Sequence, residues 1–273
     1  MNLAINYSPA AARLIQSGDI EVDYFKTPDW EWIVRKAQEL KPVIVHFTLE
    51  AGNGSLAEVN WPKIRQLAEM THTPYINLHL DARQSYYPDL EVETIEEASV
   101  NRIFNVIQSD VTTAVEQFGQ QRVIVDNSPY PRLEGNTFRL CVDPDVISRC
   151  LEVTGCGLLL DISHAVIAAK SLGLTPESYI SRLPLHMVKE LHFAGIHQDR
   201  ISGRYVDHLS IQEQDWYWLE LVFDHLRSVG VNSPWILVFE YGGVGESFAW
   251  RTDPSVIAEQ VPRLLEKIRG MTW

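Results

Sequence analysis

Eight short apolar runs punctuate the chain, and each of the last six ends on a histidine or a carboxylate. The runs are Leu3–Tyr7, Val22–Phe25, Val43–His46, Tyr75–His79, Val123–Asp126, Leu158–Asp161, Glu190–His192 and Ile236–Glu240. Between them lie segments with helical spacing of apolar residues, such as Trp32, Ile33, Ala37 and Leu40. Short apolar strands alternating with helices predict βαβ units and a parallel sheet. Eight units at roughly 30-residue spacing fit a (β/α)8 TIM barrel, read here as one domain over residues 1–273. An open doubly wound sheet is the alternative, but no Gly-rich fingerprint follows the first run. In a closed parallel barrel the C-terminal strand ends meet at one rim, so the six terminal residues are expected to share a pocket.

Helix-start signals support the alternation. Asn60 precedes Trp61-Pro62, Asp143 precedes Pro144, Thr175 precedes Pro176 and Asp253 precedes Pro254. Each pairs a capping side chain with a proline in the first turn.

Thirty-six acidic against 23 basic residues give a net charge of −13. That balance argues against a nucleic-acid partner, which would need clustered Lys and Arg. No run approaches the roughly 20 apolar residues of a membrane span. The N-terminal stretch lacks a basic region followed by an apolar one, so no signal peptide is expected and the protein is read as cytoplasmic. Cys141, Cys150 and Cys156 lack CxxC spacing and read as small core residues.

The candidate site is a collective one. His46, His79, Asp126, Asp161, His192 and Glu240 end separate strands, and His164 follows Asp161 by three positions in LLLDISHA. Imidazole among carboxylates suits iron, manganese or zinc better than magnesium. Asp161 also reads as a plain helix cap, and both roles stay open. Asn127 beside Asp126 can ligate, hold substrate or simply turn the chain. His197, Asp207 and His208 fall in what reads as a long loop after the seventh strand, and Asp207 and His208 are further candidate ligands. Asp126, Glu240 and His164 are the candidate catalytic residues. His72, His186 and His225 fall in or near helices and carry no assigned role. Gly52-Asn53-Gly54 and Gly242-Gly243-Val244-Gly245 read as tight turns, with phosphate binding the weaker alternative.

The segments TGCGLLLDISHAVIAA, LPLHMVKELHFAGIH and NYSPAAARLIQSGDIEVDYFK resemble the xylose-isomerase-like TIM barrels. Within them the chain is most similar to the bacterial multinuclear-iron family that includes the methanobactin-biosynthesis oxidase and related peptide-cysteine-modifying enzymes. The resemblance implies two or three iron ions, a cysteine-containing ribosomal peptide as substrate and a partner protein that recognises the leader. It implies metal roles for His46, His79, Asp161, His192 and Glu240. Asp126 stands where the family pattern has Glu, and His164 where many members have Asn. Val206-Asp207-His208 matches the family's Asp-Thr-His stretch only loosely.

The leading expectation is an iron-dependent oxidoreductase acting on a small polar or peptidic substrate. His46, His79 and Asp126 would hold one ion and Asp161, His192 and Glu240 another, with His164, His197, Asp207 and His208 completing a third position or orienting ligands. The alternatives are a divalent-metal sugar isomerase or epimerase, a metal-dependent phosphoesterase or endonuclease, and a non-catalytic metal-binding protein.

Overall fold

The computed structural model describes residues 1–130, 136–200, 202–231, 234–249 and 251–271. Its strands are β1 (Asn2–Asn6), β2 (Tyr24–Pro28), β3 (Val43–His46), β4 (Leu49–Ala51), β5 (Ile76–Leu80), β6 (Val123–Asp126), β7 (Gly157–Asp161), β8 (Val188–Phe193), β9 (Gly195–Gln198), β10 (Tyr205–Leu209) and β11 (Ile236–Phe239). Helices separate most of them, and the longest runs from Glu97 to Phe118. No helix among the described residues is long and apolar enough to cross a membrane.

The capping signals fold as their chemistry dictates. Asp143, Thr175 and Asp253 each accept a backbone N–H in the first turn of a helix that opens with proline. Ser8 does the same for the helix Pro9–Ser17. Each cap satisfies a donor that the helix itself leaves orphaned.

The chain packs as two compact units. Met1–His46, Gln66–Pro74 and Glu190–Trp273 form the first, and Phe47–Arg65 with Tyr75–Lys189 form the second. In the first unit the parallel order is β3-β2-β1-β11-β8. In the second it is β4-β5-β6-β7, also parallel. Continuous apolar runs such as VIVD, GLLLD and ILVF are buried at every position, as expected of parallel strands covered on both faces.

Register explains why chemistry collects at the strand ends. Parallel partners point to the same face, and residues two apart share it. In the first unit one face carries Ala4, Tyr24, Ile44, Ile236 and Val238, with Ala4, Ile44, Ile236 and Val238 packed as an apolar cluster against Tyr24. Two residues further along β2 and β3 the same face presents Lys26 and His46, and along β8 it presents Glu190 and His192.

Three elements differ from the sequence expectation. β2 runs from Tyr24 to Pro28 rather than ending at Phe25, which brings Lys26 onto a buried strand. β4 is a three-residue strand that Glu50 interrupts, too short for an apolar run to reveal. The long loop after the seventh strand is instead an antiparallel hairpin, β9 with β10, carrying a bulge between Val206 and Leu209. Its alternation of polar and apolar residues lacks a continuous apolar run.

Candidate metal centre

In the first unit His46, His192 and Glu240 offer one ligand atom each, all within 4.8 Å of one another. β3 ends on His46, β8 carries His192, and Glu240 follows β11 directly. The His46 and His192 rings lie 5.7 Å apart. His192 is fully buried and Glu240 nearly so. Two imidazole nitrogens and a carboxylate at this spacing form a donor set suited to a borderline divalent ion.

The same ring faces a second carboxylate. His192 Nε2 lies 2.8 Å from Glu190 Oε1, and its Nδ1 lies 3.1 Å from Glu240 Oε1. Burial opposes charge on the imidazole, but Glu240 and the hydrogen bonds that both carboxylates accept outweigh it and the nearby Lys26 charge, and raise the His192 pKa to about 9. Burial also works against a charged Glu240, yet His192 and Lys26 hold its carboxyl well below the usual range.

Lys26 was missed by the sequence reading. Its side chain is 3% exposed, and its Nζ touches His192 Nε2. Nζ also lies 3.3 Å from Glu240 Oε1 and 3.6 Å from Glu190 Oε1. Reading β2 as closed at Phe25 hid the signal, which was the period-2 placement of Lys26 after Tyr24. Arg251 is a second missed cation. Burial lowers its pKa, while Asp207 and Glu240 pull it upward.

The hairpin positions the remaining candidates of this unit. A Cβ at Gly195 would sit 1.8 Å from Ser210 O, so only glycine lets the two strands approach there. His197 Nε2 donates to Ser210 O at 2.8 Å, which ties His197 to the hairpin. His208 adopts φ 58°, the left-handed region that a non-glycine residue rarely occupies. Its Nδ1 donates to Glu240 O at 3.0 Å, so the neutral ring carries its lone pair on Nε2, 3.8 Å from Asp207 Oδ2.

In the second unit β5 and β6 pair His79 with Asp126, and Nδ1 stands 3.2 Å from Asp126 Oδ2. His164 Nδ1 donates to Asn127 O at 2.8 Å, again leaving Nε2 as the lone-pair nitrogen, 3.5 Å from Asp161 Oδ2. Asp126 Oδ1 is 3.8 Å from His164 Nδ1. Asp161 Oδ1 accepts the His164 N–H and caps the helix Ile162–Ser171. Its other oxygen faces the His164 ring, so the cap does not use that atom. Asn127 spends its side-chain amide on the backbone of Asp161, accepting from N and donating to O at 2.9 Å each. That pairing zips β6 to β7 and accounts for a buried Asn without a substrate.

The two glycine turns are built differently. Gly52, Asn53 and Gly54 aim three N–H groups at Asp110 Oδ2, at 2.8, 3.2 and 3.0 Å. An internal carboxylate therefore fills the anion nest that the sequence offered to phosphate. Gly242 has φ 81°, and Gly243 N–H donates to Thr252 Oγ1. A further polar group that the sequence reading passed over joins Glu50, Asp81 and Arg83. Arg83 Nε donates to Asp81 Oδ2 at 2.9 Å, and its guanidinium also contacts Glu50.

The family model for the RiPP precursor modification enzyme MbnB/TglH/ChrH matches residues 23–235. The chain belongs to this family. Family membership agrees with the resemblance read from the sequence. A UPF0276 protein of Caulobacter vibrioides is 32% identical over 114 residues, 41% of this chain and 38% of that protein. The UPF0276 protein AM1_3026 of Acaryochloris marina is 25% identical over 160 residues, 56% of this chain and 55% of its own. The chain thus spans less than two thirds of the curated relatives it matches.

Solved structures establish the fold. A D-psicose 3-epimerase in the presence of D-fructose superposes with a TM-score of 0.56 at 13% identity, over 98% of both chains. An L-ribulose 3-epimerase gives 0.58 at 16% identity, over 97% of this chain and 93% of that one. A family 2 AP endonuclease from Brucella melitensis gives 0.56 at 15%, over 96% and 99%. The chain has the α/β, xylose-isomerase-like TIM-barrel fold expected from its strand and helix alternation.

Proposed function

We propose that the chain is a metal-dependent oxidoreductase of the peptide-modifying family, using two or three iron ions to rework a cysteine in a ribosomally made peptide. The single observation that carries this reading is the set of half-buried His46 with buried His192 and Glu240, with donor atoms within 4.8 Å of one another in a chain of that family. These three residues would hold one ion. His79 and Asp126, with Asp161 and His164, would serve a second in their own unit. Asp207 and His208 are candidates for a further position beside Glu240. Manganese or zinc would suit the same donors.

Bound iron would supply an open coordination position for a substrate thiolate and the electrons for reducing oxygen. The protein's own part is to fix the ligands. Asn127 O holds the His164 tautomer, Glu240 O holds that of His208, and Glu190 backs His192. Such outer partners orient imidazoles and raise their basicity. Asp126, Glu240 and His164 are the groups we assign to proton handling at the substrate.

A leader-recognising partner protein and a cytoplasmic reaction, where ribosomal peptides are made, follow from the same reading. The experiment is anaerobic purification, metal analysis and Mössbauer spectroscopy, then incubation with a cysteine-containing precursor peptide and oxygen. Bound iron with a mass change at the peptide cysteine supports the proposal. A protein that takes up no iron, manganese or zinc sinks it.

A sugar epimerase is the second reading, favoured by the D-psicose and L-ribulose 3-epimerase structures. Epimerisation of ketoses by the manganese-loaded protein without oxygen would select it.

A further inference from the structure

A lysine ammonium sits where a metal ion would have to compete with it. Lys26 Nζ touches one nitrogen of His192 and lies 3.3 Å from the other. It is 3.3 Å from Glu240 Oε1, itself a member of the metal-capable set, and 3.6 Å from Glu190 Oε1. The lysine is buried on β2, among strands whose apolar residues leave water little access. A buried charge is stable only with close partners, and here two carboxylates provide them.

Two features make the competition direct. An ammonium has three donors and no lone pair, so it cannot join the ligands of a cation. Positive charge beside a divalent ion at about 3–4 Å is strongly repulsive in a low-dielectric interior. Coordination through His192 and Glu240 therefore requires Lys26 to swing away from both.

We propose that Lys26 is a tethered internal cation that neutralises the Glu190–His192–Glu240 group and restrains metal loading at this position. The inference rests on the reading that His46, His192 and Glu240 hold an ion. In the metal-free protein Lys26 keeps the carboxylates from repelling one another. On loading it yields its place, which weakens the ion at this position relative to the others in the same chain. Lys26 is a positioning residue here, not a ligand.

The test uses manganese(II) and zinc(II) as separate probes, titrated into chelator-stripped full-length protein by calorimetry, with bound ions counted by mass spectrometry of the metal. Lys26→Met removes the charge at similar length, Lys26→Gln is a milder second variant, and Lys26→Arg retains the charge. The neutral variants are expected to bind one ion about tenfold more tightly than the wild type, while Lys26→Arg stays near wild type. Their metal-free thermal midpoints should fall, and the probe ion should restore them by a larger increment than in the wild type. Adding His192→Ala should abolish the gain. Equal affinity and equal ion count in the wild type and both neutral variants overturn the role of Lys26 and leave the metal reading standing. Uptake of neither ion by any of these proteins overturns both.

Discussion

Asp161 and His164 meet twice: one Asp161 oxygen accepts the His164 backbone N–H at 2.8 Å, and the other lies 3.5 Å from the His164 ring. The two functions can be separated by substitution. Asp161→Asn keeps a capping acceptor, so the fold should lose little, about 0.5 kcal/mol or less. It lowers the negative charge facing His164, so metal content should drop. Asp161→Ala should lose metal and, in addition, about 1 kcal/mol of stability. Calorimetry with metal analysis on both variants checks this. Full metal retention in Asp161→Asn would reduce the residue to a cap.

Asp110 is the counterion of a backbone nest, not a surface acid. It accepts from Gly52, Asn53 and Gly54 while 4% exposed. Asp110→Ala leaves three donors without their acceptor, at a cost of about 2–4 kcal/mol. Added phosphate at millimolar concentration should restore none of that loss if the turn is purely structural. Chemical denaturation with and without phosphate reads both effects.

Tyr87 closes the same turn from the other side, donating to Gly52 O at 2.6 Å. Burial, with the nearby Asp110 charge, pushes its pKa up to about 12. The unfolded chain ionises tyrosine near pH 10 and the folded chain near 12. Stability from this group is therefore whole below pH 10 and is lost as pH rises towards 12. Tyr87→Phe should cost about 1 kcal/mol at neutral pH, and that difference from wild type should shrink on the alkaline side. Urea midpoints taken across this range give the comparison.

The three cysteines are buried, and burial raises the pKa of the Cys150 and Cys156 thiols. Cys141 Sγ accepts the Ala82 N–H. Iodoacetamide at pH 8 should leave the native protein unmodified and add three groups after denaturation. A rapidly alkylated native thiol, detected by intact mass, would contradict the inert reading.

The alternation of runs and helices, the cap-proline starts and the strand-end donors were legible because each is a local property. Val43–His46 and Val123–Asp126 appear as strands with the bounds their apolar runs suggested. For Lys26 only the period-2 placement after Tyr24 was legible; its burial was not, because a lysine beside an aromatic and a threonine reads as solvent-facing until its partners are known. Glu190 opens the run that ends on His192, two residues before it and on the same face, but nothing near it in sequence names Lys26 as a charge partner.

By itself the sequence determined the fold class, since a short continuous apolar strand and a capped amphipathic helix follow from nearest neighbours along the chain. It also determined which residue types end the strands. Only the tertiary structure decided which donors meet. Sheet register sets the distance between His46 and His192, 146 positions apart along the chain, and burial turns an ordinary lysine into a structural cation. Those pairings depend on strand order and desolvation, which are properties of the folded chain and not of any stretch of sequence.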